Sequence, residues 1–542
     1  MQTLYLDPAA DENAVQTAAD LLLQGEIVGM PTETVYGLAA NALNGPAVRK
    51  IFAAKGRPQD NPLIVHVSDF DQIPALVSAI PEAAKKLAEA FWPGPMTMIL
   101  PKGENILDEV SAGLDTVGIR MPSHPMARAL IRQAGVPLAA PSANLSGRPS
   151  TTTAQHVLED LSGKIAAVLE GGSCSVGVES TVISLAVQPP RLLRPGGISL
   201  EQLRSVLGEV EVDKALYQKI DDSTKVSAPG MKYRHYAPKA AVTVFTGDPD
   251  QTARCIGRFA GESSGVLCFD EYERDFPQAG TVLTFGSRDN VAGQAQNVFD
   301  ALRHFDETSV TEIYAQCPDD RGIGLAVANR LKKAAGFHVI ALPKVKIIGL
   351  TGGSGAGKGA AAAAFAQLGI SAVDADAVYH QLLIENTAML REIAQRFGKD
   401  VLDSQGMLLR KKLGARVFGN PQALRELSAM TDPYILEACF ARMEALAQQG
   451  AKMVLFDAPT LFQTGGNRYC DRVLSVLAPE EMRIQRIMQR DEVSREYAAS
   501  RIYAQPKDDW YRERSDHILV NDGDLDKLQK QALDVWESLK KE

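Results

Sequence analysis

Short apolar runs, rich in β-branched residues, alternate with helical stretches along roughly the first 210 residues of the chain. The helical stretches, such as 81–92, are rich in Ala and Leu. This alternation predicts an α/β domain with a substantial sheet over residues 1–212. The strand candidates lie at 26–32, 61–67, 96–101, 116–122, 136–142 and 180–185. Polar side chains on the turns between them are the expected place for a site.

A small α/β domain is predicted over 241–343, after a polar connection at 213–240. Two amphipathic stretches, 289–306 and 322–336, have the apolar spacing of helices, and the domain is expected to be Rossmann-like. Its strand candidates lie at 241–247, 264–270 and 338–343. A dinucleotide site is not expected, because RGIGLAVANR has only the first two glycines of a GxGxxG pattern.

The last segment, 344–542, opens with the pattern of a buried strand, followed by a glycine-rich turn and an alanine-rich helix. Further strand candidates lie at 370–376, 452–459 and 472–479. A βαβ unit with a glycine-rich first turn predicts a parallel sheet with a phosphate site at its carboxyl edge. The whole chain is therefore expected to be α/β, with a P-loop domain at its end.

Composition excludes several classes of protein. The 542 residues have a formal net charge of −9, so no global basic field exists to hold bulk nucleic acid. The six cysteines form no CxxC pair, so neither a zinc ribbon nor a disulfide scaffold is indicated. No apolar run reaches the ~18 residues of a membrane span, and the first residues lack a signal-peptide pattern. We therefore expect a cytoplasmic protein without a membrane segment.

The glycine-rich turn GGSGAGKG at 352–359 fits the phosphate-binding pattern G-x-x-x-x-G-K. Backbone N–H groups of such a turn cradle phosphate oxygens, the lysine reaches the β- and γ-phosphates, and the helix N-terminus adds positive charge. The predicted nucleotide-binding residues are Gly352, Gly355, Ala356, Gly357, Lys358, Gly359 and Ala360. Gly359 stands where Ser or Thr usually binds Mg²⁺, so the ion expected with ATP must rely on water or another group.

Polar residues also cluster on turns of the first segment, at 31–38, 55–67, 141–147, 177–184 and 192–197. Within them, Lys55 and Arg57 are paired cations beside hydroxyl and amide donors, which suits a phosphate and a small polar substrate. No Ser/His/Asp order, thiol nucleophile or metal-ligand cluster indicates covalent or metal-dependent hydrolysis.

This set of motifs resembles the YrdC-type threonylcarbamoyl-AMP synthase family over residues 1–343. The distinctive parts are the K-x-R at 55–57 and the S-x-N at 142–144, and SAPGMKYRHYAP and RGIGLAVANR match the longer, two-domain form. The resemblance implies formation of threonylcarbamoyl-AMP from L-threonine, bicarbonate and ATP, with release of pyrophosphate. It also implies partner proteins that use this product to make N6-threonylcarbamoyladenosine beside the tRNA anticodon, with at most a weak tRNA contact.

The same resemblance implies roles for individual residues. The ATP-binding residues would be Lys55, Arg57, Ser142, Asn144, Arg194, Arg234, His235 and Tyr236. The threonine-binding residues would be Thr32, His66, Arg120 and Thr181. The cationic and aromatic cluster at 232–236 is expected to be a lid that keeps water from the labile intermediate, rather than an inert linker.

Residues 346–542 resemble dephospho-CoA kinases, through IIGLTGGSGAGKG, LGISAVDAD, VLFDAPTLFQ, RVLSVLAPEEMRIQRIMQRD and DHILVNDGD. The resemblance implies transfer of the γ-phosphate of ATP to the ribose 3′-hydroxyl of dephospho-CoA, the last step of coenzyme A synthesis. Asp376 would be a general base or metal-linked carboxylate, and Lys358 the catalytic lysine. Arg486 and Arg490, one helical turn apart, would neutralise phosphates.

The leading interpretation is therefore a bifunctional enzyme. A second interpretation keeps the synthase active but makes the last segment a catalytically weak nucleotide-binding scaffold, because Gly359, His380 and Asp432 depart from the kinase pattern. A third interpretation is an RNA-binding module, against which the net charge of −9 argues.

Overall fold

The computed structural model describes residues 2–217, 236–417 and 419–541. Contacts between residues group the chain into two compact units. The first consists of Met1–Pro249 and Ala260–Ile340, and the second of Asp250–Phe259 and Ala341–Glu542. The finer predicted division, at 212, 240 and 343, stays a prediction.

A mixed sheet organises the first 217 residues, and its eleven described strands run in the order β1-β8-β2-β3-β7-β4-β6-β5-β9-β10-β11. The strands are β1 (Leu4–Leu6), β2 (Val28–Met30), β3 (Gly37–Asn41), β4 (Ile64–His66), β5 (Met96–Pro101), β6 (Thr116–Arg120), β7 (Leu138–Ala139), β8 (Ala167–Leu169), β9 (Thr181–Ser184), β10 (Arg191–Arg194) and β11 (Glu211–Val212). The helices are α1 (Ala14–Leu23), α2 (Gly45–Lys55), α3 (Glu82–Phe91), α4 (Asp108–Ser111), α5 (Pro125–Ala134), α6 (Ala154–Leu161) and α7 (Leu200–Leu207). All six predicted strands are present in this sheet.

Both faces of this sheet are covered by apolar side chains. Leu38 and Ala39 are successive residues of β3, and they belong to two different buried apolar clusters. Because successive side chains of a strand point to opposite faces, one cluster lies on each face. This double burial explains why the strands read as short continuous apolar runs rather than as alternating patterns.

The strand register at one edge of the sheet positions polar side chains. β4 and β6 are parallel, with His66 opposite Arg120. β5 is antiparallel to β6 and places Thr97 opposite Arg120, whereas β9 is parallel to β5 and begins with Thr181 opposite Met96. The carboxyl ends of β4 and β6 and the amino ends of β5 and β9 therefore meet.

The small domain has a second sheet, in the order β14-β13-β15-β12-β16. Its strands are β12 (Ala241–Thr246), β13 (Ser264–Cys268), β14 (Thr281–Thr284), β15 (Glu312–Gln316) and β16 (Val339–Ala341). Its helices are α9 (Val291–His304) and α10 (Gly324–Ala334), whereas α8 (Pro249–Gly257), between β12 and β13 along the chain, lies in the second unit from Asp250 onward. The predicted elements are present, whereas α8, β14 and β15 were not predicted.

The third sheet, in the second unit, has the order β18-β19-β17-β20-β21, and all of its ladders are parallel. Its strands are β17 (Lys346–Thr351), β18 (Ser371–Asp374), β19 (Met453–Asp457), β20 (Arg472–Leu477) and β21 (His517–Val520). The helices are α11 (Lys358–Gln367), α12 (Ala375–Glu385), α13 (Thr387–Phe397), α14 (Arg410–Val417), α15 (Pro421–Gln448), α16 (Glu480–Asp491), α17 (Arg495–Tyr503), α18 (Asp508–Arg512) and α19 (Leu525–Leu539). The prediction of a parallel sheet is confirmed. Among the described residues, no helix combines the length and apolar character that a bilayer crossing requires.

A buried ion pair ties helix α6 to helix α9 within the first unit. Arg303 Nη2 lies 3.0 Å from Asp160 Oδ2, and the side chains are 4% and 0% exposed. The Asp160 carboxylate also accepts hydrogen bonds from Arg148 Nη1, at 2.6 Å, and from the backbone N–H of Leu145, at 2.9 Å. Removing one partner of such a pair leaves the other charge buried without compensation.

We expect Asp160→Ala to destabilise this part of the first unit by about 3–5 kcal/mol, because the buried Arg303 guanidinium loses both hydrogen bonds to this carboxylate and keeps a looser pair with Glu159 at 4.0 Å. Native-state hydrogen exchange in mild urea would measure the loss on peptides from α6 and α9. Glu109→Ala, which breaks the exposed pair with Arg49, is the control and should cost less than about 1 kcal/mol. Equal protection in Asp160→Ala and the wild type would contradict this account.

Candidate active sites

One pocket in the first unit brings together most of the residues predicted for the first site. Its predicted lining residues are Thr32, Lys55, Arg57, His66, Arg120, Ser142, Asn144, Arg194 and Tyr236. Thr181 is not among the lining residues, and Arg234 and His235 lie outside the described residues. Glu179, Ser180 and Arg148 also line the pocket, although they were not predicted as site residues.

Lys55 fastens the S-x-N turn to the end of helix α2. Lys55 is 2% exposed. Its ammonium group donates to the backbone carbonyls of Ser142 and Asn144. Burial, and then the charge of Arg57, lower the pKa of Lys55 well below its usual value. Within the turn, Ser142 Oγ donates to Asn144 Oδ1 at 2.5 Å. Lys55 therefore shapes the turn as well as placing a cation at the pocket.

His66 and Arg120 meet at the carboxyl ends of β4 and β6. Arg120 forms a buried ion pair with Glu33, whose Oε1 lies 2.8 Å from Arg120 Nη2. Burial disfavours the ionised form of Glu33, but the charge of Arg120 outweighs it and holds the pKa of Glu33 below its usual value. Burial, and then Arg120, lower the pKa of His66 to about 3, so its ring is neutral at pH 7.

The same end of the pocket holds buried polar atoms without partners. Within the described part of the chain, His66 Nδ1 and Arg120 Nε have no hydrogen-bond partner. Burying such atoms unpaired costs about 1–3 kcal/mol each. A small polar ligand that supplies a carboxylate or hydroxyl oxygen would satisfy them.

Two predicted threonines use their hydroxyl groups within the protein. Thr32 Oγ1 donates to the carbonyl of Val35 at 2.6 Å and so closes its own turn. Thr181 Oγ1 donates to the carbonyl of Ile198 at 2.6 Å and accepts from its N–H at 2.9 Å. Thr181 therefore holds the neighbouring backbone, and its predicted contact with threonine stays a prediction.

Ser180 and Arg194 form one wall of the pocket. Arg194 donates from Nε to the carbonyl of Ser180 and from Nη2 to its Oγ, both at 3.1 Å. Ser180 Oγ also lies 2.8 Å from Thr97 Oγ1. The wall is therefore a connected network whose buried guanidinium faces the pocket.

The glycine-rich turn of the second unit lies between a strand and a helix, as expected. It connects β17 to α11, and Gly352 and Gly357 have φ of +148° and +94°. A Cβ at Gly352 would lie 2.3 Å from the carbonyl oxygen of Val476, and one at Gly357 would lie 2.0 Å from Asn521 Nδ2. Glycine is required at both positions by conformation and by space.

Side chains from neighbouring elements hold the carbonyl groups of this turn. Arg483 Nε donates to the carbonyl of Ser354 at 3.0 Å, and Arg486 Nη1 donates to that of Gly355 at 3.2 Å. Asn521 Nδ2 donates to the carbonyl of Ala356 at 3.0 Å. These bonds fix the peptide planes of the turn. Two of its N–H groups are also occupied, because that of Ser354 donates to Gln505 Oε1 at 2.8 Å and that of Ala356 to the carbonyl of Gly353 at 3.1 Å.

The two predicted arginines of helix α16 have different surroundings. Arg486 lies against the phosphate turn, as described. Arg490 instead pairs with Asp491, with Nε 2.7 Å from Oδ1, and its side chain is 59% exposed. The structure therefore does not bring Arg490 to the phosphate turn, and its predicted role in ATP binding stays a prediction.

A carboxylate that was not predicted lies beside Lys358. Lys358 Nζ is 2.7 Å from Asp457 Oδ1 at the end of β19. Burial raises the pKa of Asp457, and although the charge and hydrogen bond of Lys358 oppose this effect, the charges of Asp374 and Asp376 add to it and the pKa stays above its usual value. Asp374 lies opposite Asp457 in the register and caps helix α12 by accepting from the N–H of Ala377. Asp376 follows in the first turn of α12.

The described residues contain no group of three or more His, Cys, Asp or Glu side chains that could hold a metal ion. The oxygen atoms of Asp457 and its neighbours nevertheless have the chemistry that Mg²⁺ takes. They fit an ion that arrives with a nucleotide triphosphate and keeps several of its waters. A Cβ at Gly359 would meet nothing within 4 Å, so the position of the usual hydroxyl ligand is open.

Comparisons with known proteins identify the families to which the parts of the chain are similar. The family model described as "Telomere recombination" (Sua5, YciO and YrdC) matches residues 20–196, and that of the threonylcarbamoyl-AMP synthase C-terminal domain matches 198–336. The dephospho-CoA kinase model matches residues 346–527. A threonylcarbamoyl-AMP synthase of Pyrococcus abyssi is 48% identical over 336 residues, which are 61% of this chain and 96% of that protein.

The chain belongs to the threonylcarbamoyl-AMP synthase family and, in its last third, to the dephospho-CoA kinase family. For the second, a dephospho-CoA kinase of Idiomarina loihiensis is 38% identical over 186 residues, 34% of this chain and 91% of that protein. A crystal structure of P. abyssi Sua5 complexed with L-threonine matches this chain with a TM-score of 0.60 and 46% identity, and the match covers 63% of this chain and 100% of that one. We call residues 20–336, which the two synthase models match, the synthase half, and residues 346–527 the kinase half. The chain is thus a fusion of two transferases, and the predicted families are confirmed.

Proposed function

We propose that the synthase half makes threonylcarbamoyl-AMP from L-threonine, bicarbonate and ATP. The amine of threonine and bicarbonate give a carbamate with loss of water. A carbamate oxygen then attacks the α-phosphorus of ATP, and pyrophosphate leaves with the electron pair of the broken P–O bond. The product would supply partner proteins that transfer the threonylcarbamoyl group to tRNA. The observation that carries this proposal is the pocket with orphaned polar atoms at one end and the Lys55 and Arg57 cations at the other.

The threonine end of the pocket is assigned to His66 and Arg120. Arg120 Nε can donate to the carboxylate of threonine, and Glu33 keeps the guanidinium in place from its other side. The neutral His66 ring offers Nδ1 for a hydrogen bond with a polar atom of the substrate. A site that is built to pair buried polar groups rejects substrates that lack the matching atoms.

The nucleotide end is assigned to Lys55, Arg57, Ser142, Asn144 and Arg194. These residues surround the pocket with fixed donors and positive charge. Preorganised charge of this kind stabilises the phosphate oxygens as negative charge develops at the leaving pyrophosphate.

We expect Lys55→Met to slow threonine-dependent pyrophosphate release by about 10- to 150-fold, the equivalent of the ~1.5–3 kcal/mol that a hydrogen bond to a charged group contributes. Two effects add, because the variant loses a cation and also frees the carbonyls of the S-x-N turn. The matched control is Lys50→Met on the same helix, which breaks only the exposed pair with Glu26. A Lys55→Met enzyme as fast as Lys50→Met would contradict the assignment of Lys55.

We propose that the kinase half transfers the γ-phosphate of ATP to the ribose 3′-hydroxyl of dephospho-CoA. Magnesium–ATP is the substrate, with its phosphates in the cradle of residues 352–359 and Lys358 at the β- and γ-phosphates. Asp376 or its neighbour Asp457 would accept the hydroxyl proton as the new P–O bond forms and the bond to ADP breaks. The raised pKa of Asp457 suits a proton acceptor.

Gly359 is a position at which this chain departs from the usual phosphate-turn pattern, which has Ser or Thr there. Without a hydroxyl there, the magnesium ion has one protein ligand fewer, and water fills the place. ATP binding should persist, because the backbone cradle and Lys358 remain. Neutralisation of charge in the transition state should weaken, since it needs a fixed ion.

We therefore expect Gly359→Ser to raise the rate of dephospho-CoA phosphorylation at limiting magnesium, and the open space around Gly359 admits the side chain. Ala363→Ser, which adds a hydroxyl to an exposed position of the same helix, is the control and should leave the rate unchanged. No gain in Gly359→Ser would show that another group supplies the metal contact. Binding of ATP without any phosphorylation by either protein would favour the alternative of a nucleotide-binding scaffold.

A further inference from the structure

Arg330 lies in the small domain, in helix α10, yet its guanidinium ends at the wall of the synthase pocket. The side chain is 0% exposed. Nε donates to Glu179 Oε2 at 2.6 Å, Nη2 to the carbonyl of Pro195 at 2.9 Å, and Nη1 to Asn329 Oδ1 at 3.0 Å. The planar fork of the guanidinium therefore connects helix α10 to two other segments, at Glu179 and at Pro195, in a geometry that an ammonium group does not offer.

The groups that Arg330 holds belong to the pocket itself. Glu179 and Tyr236 both line it. Arg330 Cζ lies 5.4 Å from the centre of the Tyr236 ring, and the other side of the Glu179 carboxylate accepts from Ser150 Oγ at 2.6 Å. Tyr236 also forms a hydrogen bond with Glu179. One buried carboxylate thus gathers an arginine, a serine and a tyrosine.

Tyr236 is held in a strained backbone conformation. Its φ is +65°, a left-handed value that is a genuine outlier for a bulky side chain. Such a conformation persists only where its surroundings determine it. Besides Glu179, those surroundings include the small domain, because Phe299 of α9 packs on the ring at 5.1 Å between centroids and Arg330 of α10 lies over it.

We infer that Arg330 is a positioning residue for adenylate formation, which sets Glu179 and Tyr236 in the wall of the nucleotide end of the pocket. The inference rests on the proposed function of the synthase half. The inference gives the small domain a role in the reaction. Its helices α9 and α10 hold Tyr236 in the wall of the pocket, although no residue of these helices lines the pocket. Arg330 touches no substrate in this role and acts through the two residues it orients.

The test compares kinetics for the two substrates in the full-length protein. Arg330→Met with Glu179→Gln removes both charges of the pair, so no uncompensated charge stays buried. We expect the KM for ATP to rise at least 10-fold in this double variant, while the KM for threonine stays within twofold of the wild type. Arg330→Lys, which keeps the charge but not the fork, should raise the KM for ATP several-fold.

Two measurements separate positioning from a general loss of structure. Dephospho-CoA phosphorylation by the same chain reports the concentration of intact protein, and hydrogen exchange in β4 and β6 reports the fold around the threonine end. The control is Gln296→Ala, which removes another contact of α9, its hydrogen bond of 2.5 Å to the carbonyl of Ser175. It should leave both KM values unchanged.

The inference is overturned if Arg330→Lys and the double variant have the wild-type KM for ATP, or if both KM values rise in parallel with lost exchange protection. A wild-type protein that forms no threonylcarbamoyl-AMP would instead contradict the proposed function, so the two failures are distinguishable. A selective rise in the KM for ATP supports the inference.

Discussion

Both sites depend on the register of parallel strands, which brings residues that are distant in sequence to one edge of a sheet. In the synthase half, pairing of β4 with β6 places His66 opposite Arg120. In the kinase half, pairing of β17 and β18 with β19 places Leu350 and Asp374 opposite Asp457. Because the backbone of a buried strand has no freedom to slide without exposing its apolar side chains, these polar groups are held where the core puts them.

Buried charge is the second constraint on the synthase half. Burial disfavours the ionised carboxyl of Glu179, but the charges of Arg330 and Arg194 outweigh it and hold its pKa at about 2. The Glu33 carboxyl is ionised for the same reason, through Arg120. The carboxylates of Glu33 and Glu179 are thus each paired with an arginine from another element of the fold.

The two candidate sites are built by different means. In the kinase half, the side chains of Arg483, Arg486 and Asn521 fix the backbone of the glycine-rich turn. The pocket of the synthase half is lined by cationic side chains, of which Lys55 and Arg194 are buried. A glycine-rich turn tolerates little change, because a Cβ at Gly357 would meet Asn521, whereas a set of side chains can be modified one contact at a time.

The gaps in the prediction have identifiable causes. β14, whose residues are all half-buried, and the short terminal strand β1 lack a continuous apolar run long enough to stand out. Glu33, Glu179 and Asp457 lay inside motifs that were recognised, yet they were not predicted as site residues. The sequence does not show which arginine pairs with each glutamate, because Arg120 lies 87 residues from Glu33 and Arg330 lies 151 residues from Glu179.

By itself the sequence determined the α/β class, the phosphate turn and the membership of two families, because these follow from local spacing of apolar, glycine and cationic residues. Only the tertiary structure decided that Thr181 holds the backbone at Ile198, that Arg490 pairs with Asp491, and that Lys358 meets Asp457. Spacing along the chain specifies which residues share a strand or a turn. Which side chains meet depends on the packing of strands and helices that are far apart in sequence, and that packing is a property of the folded chain alone.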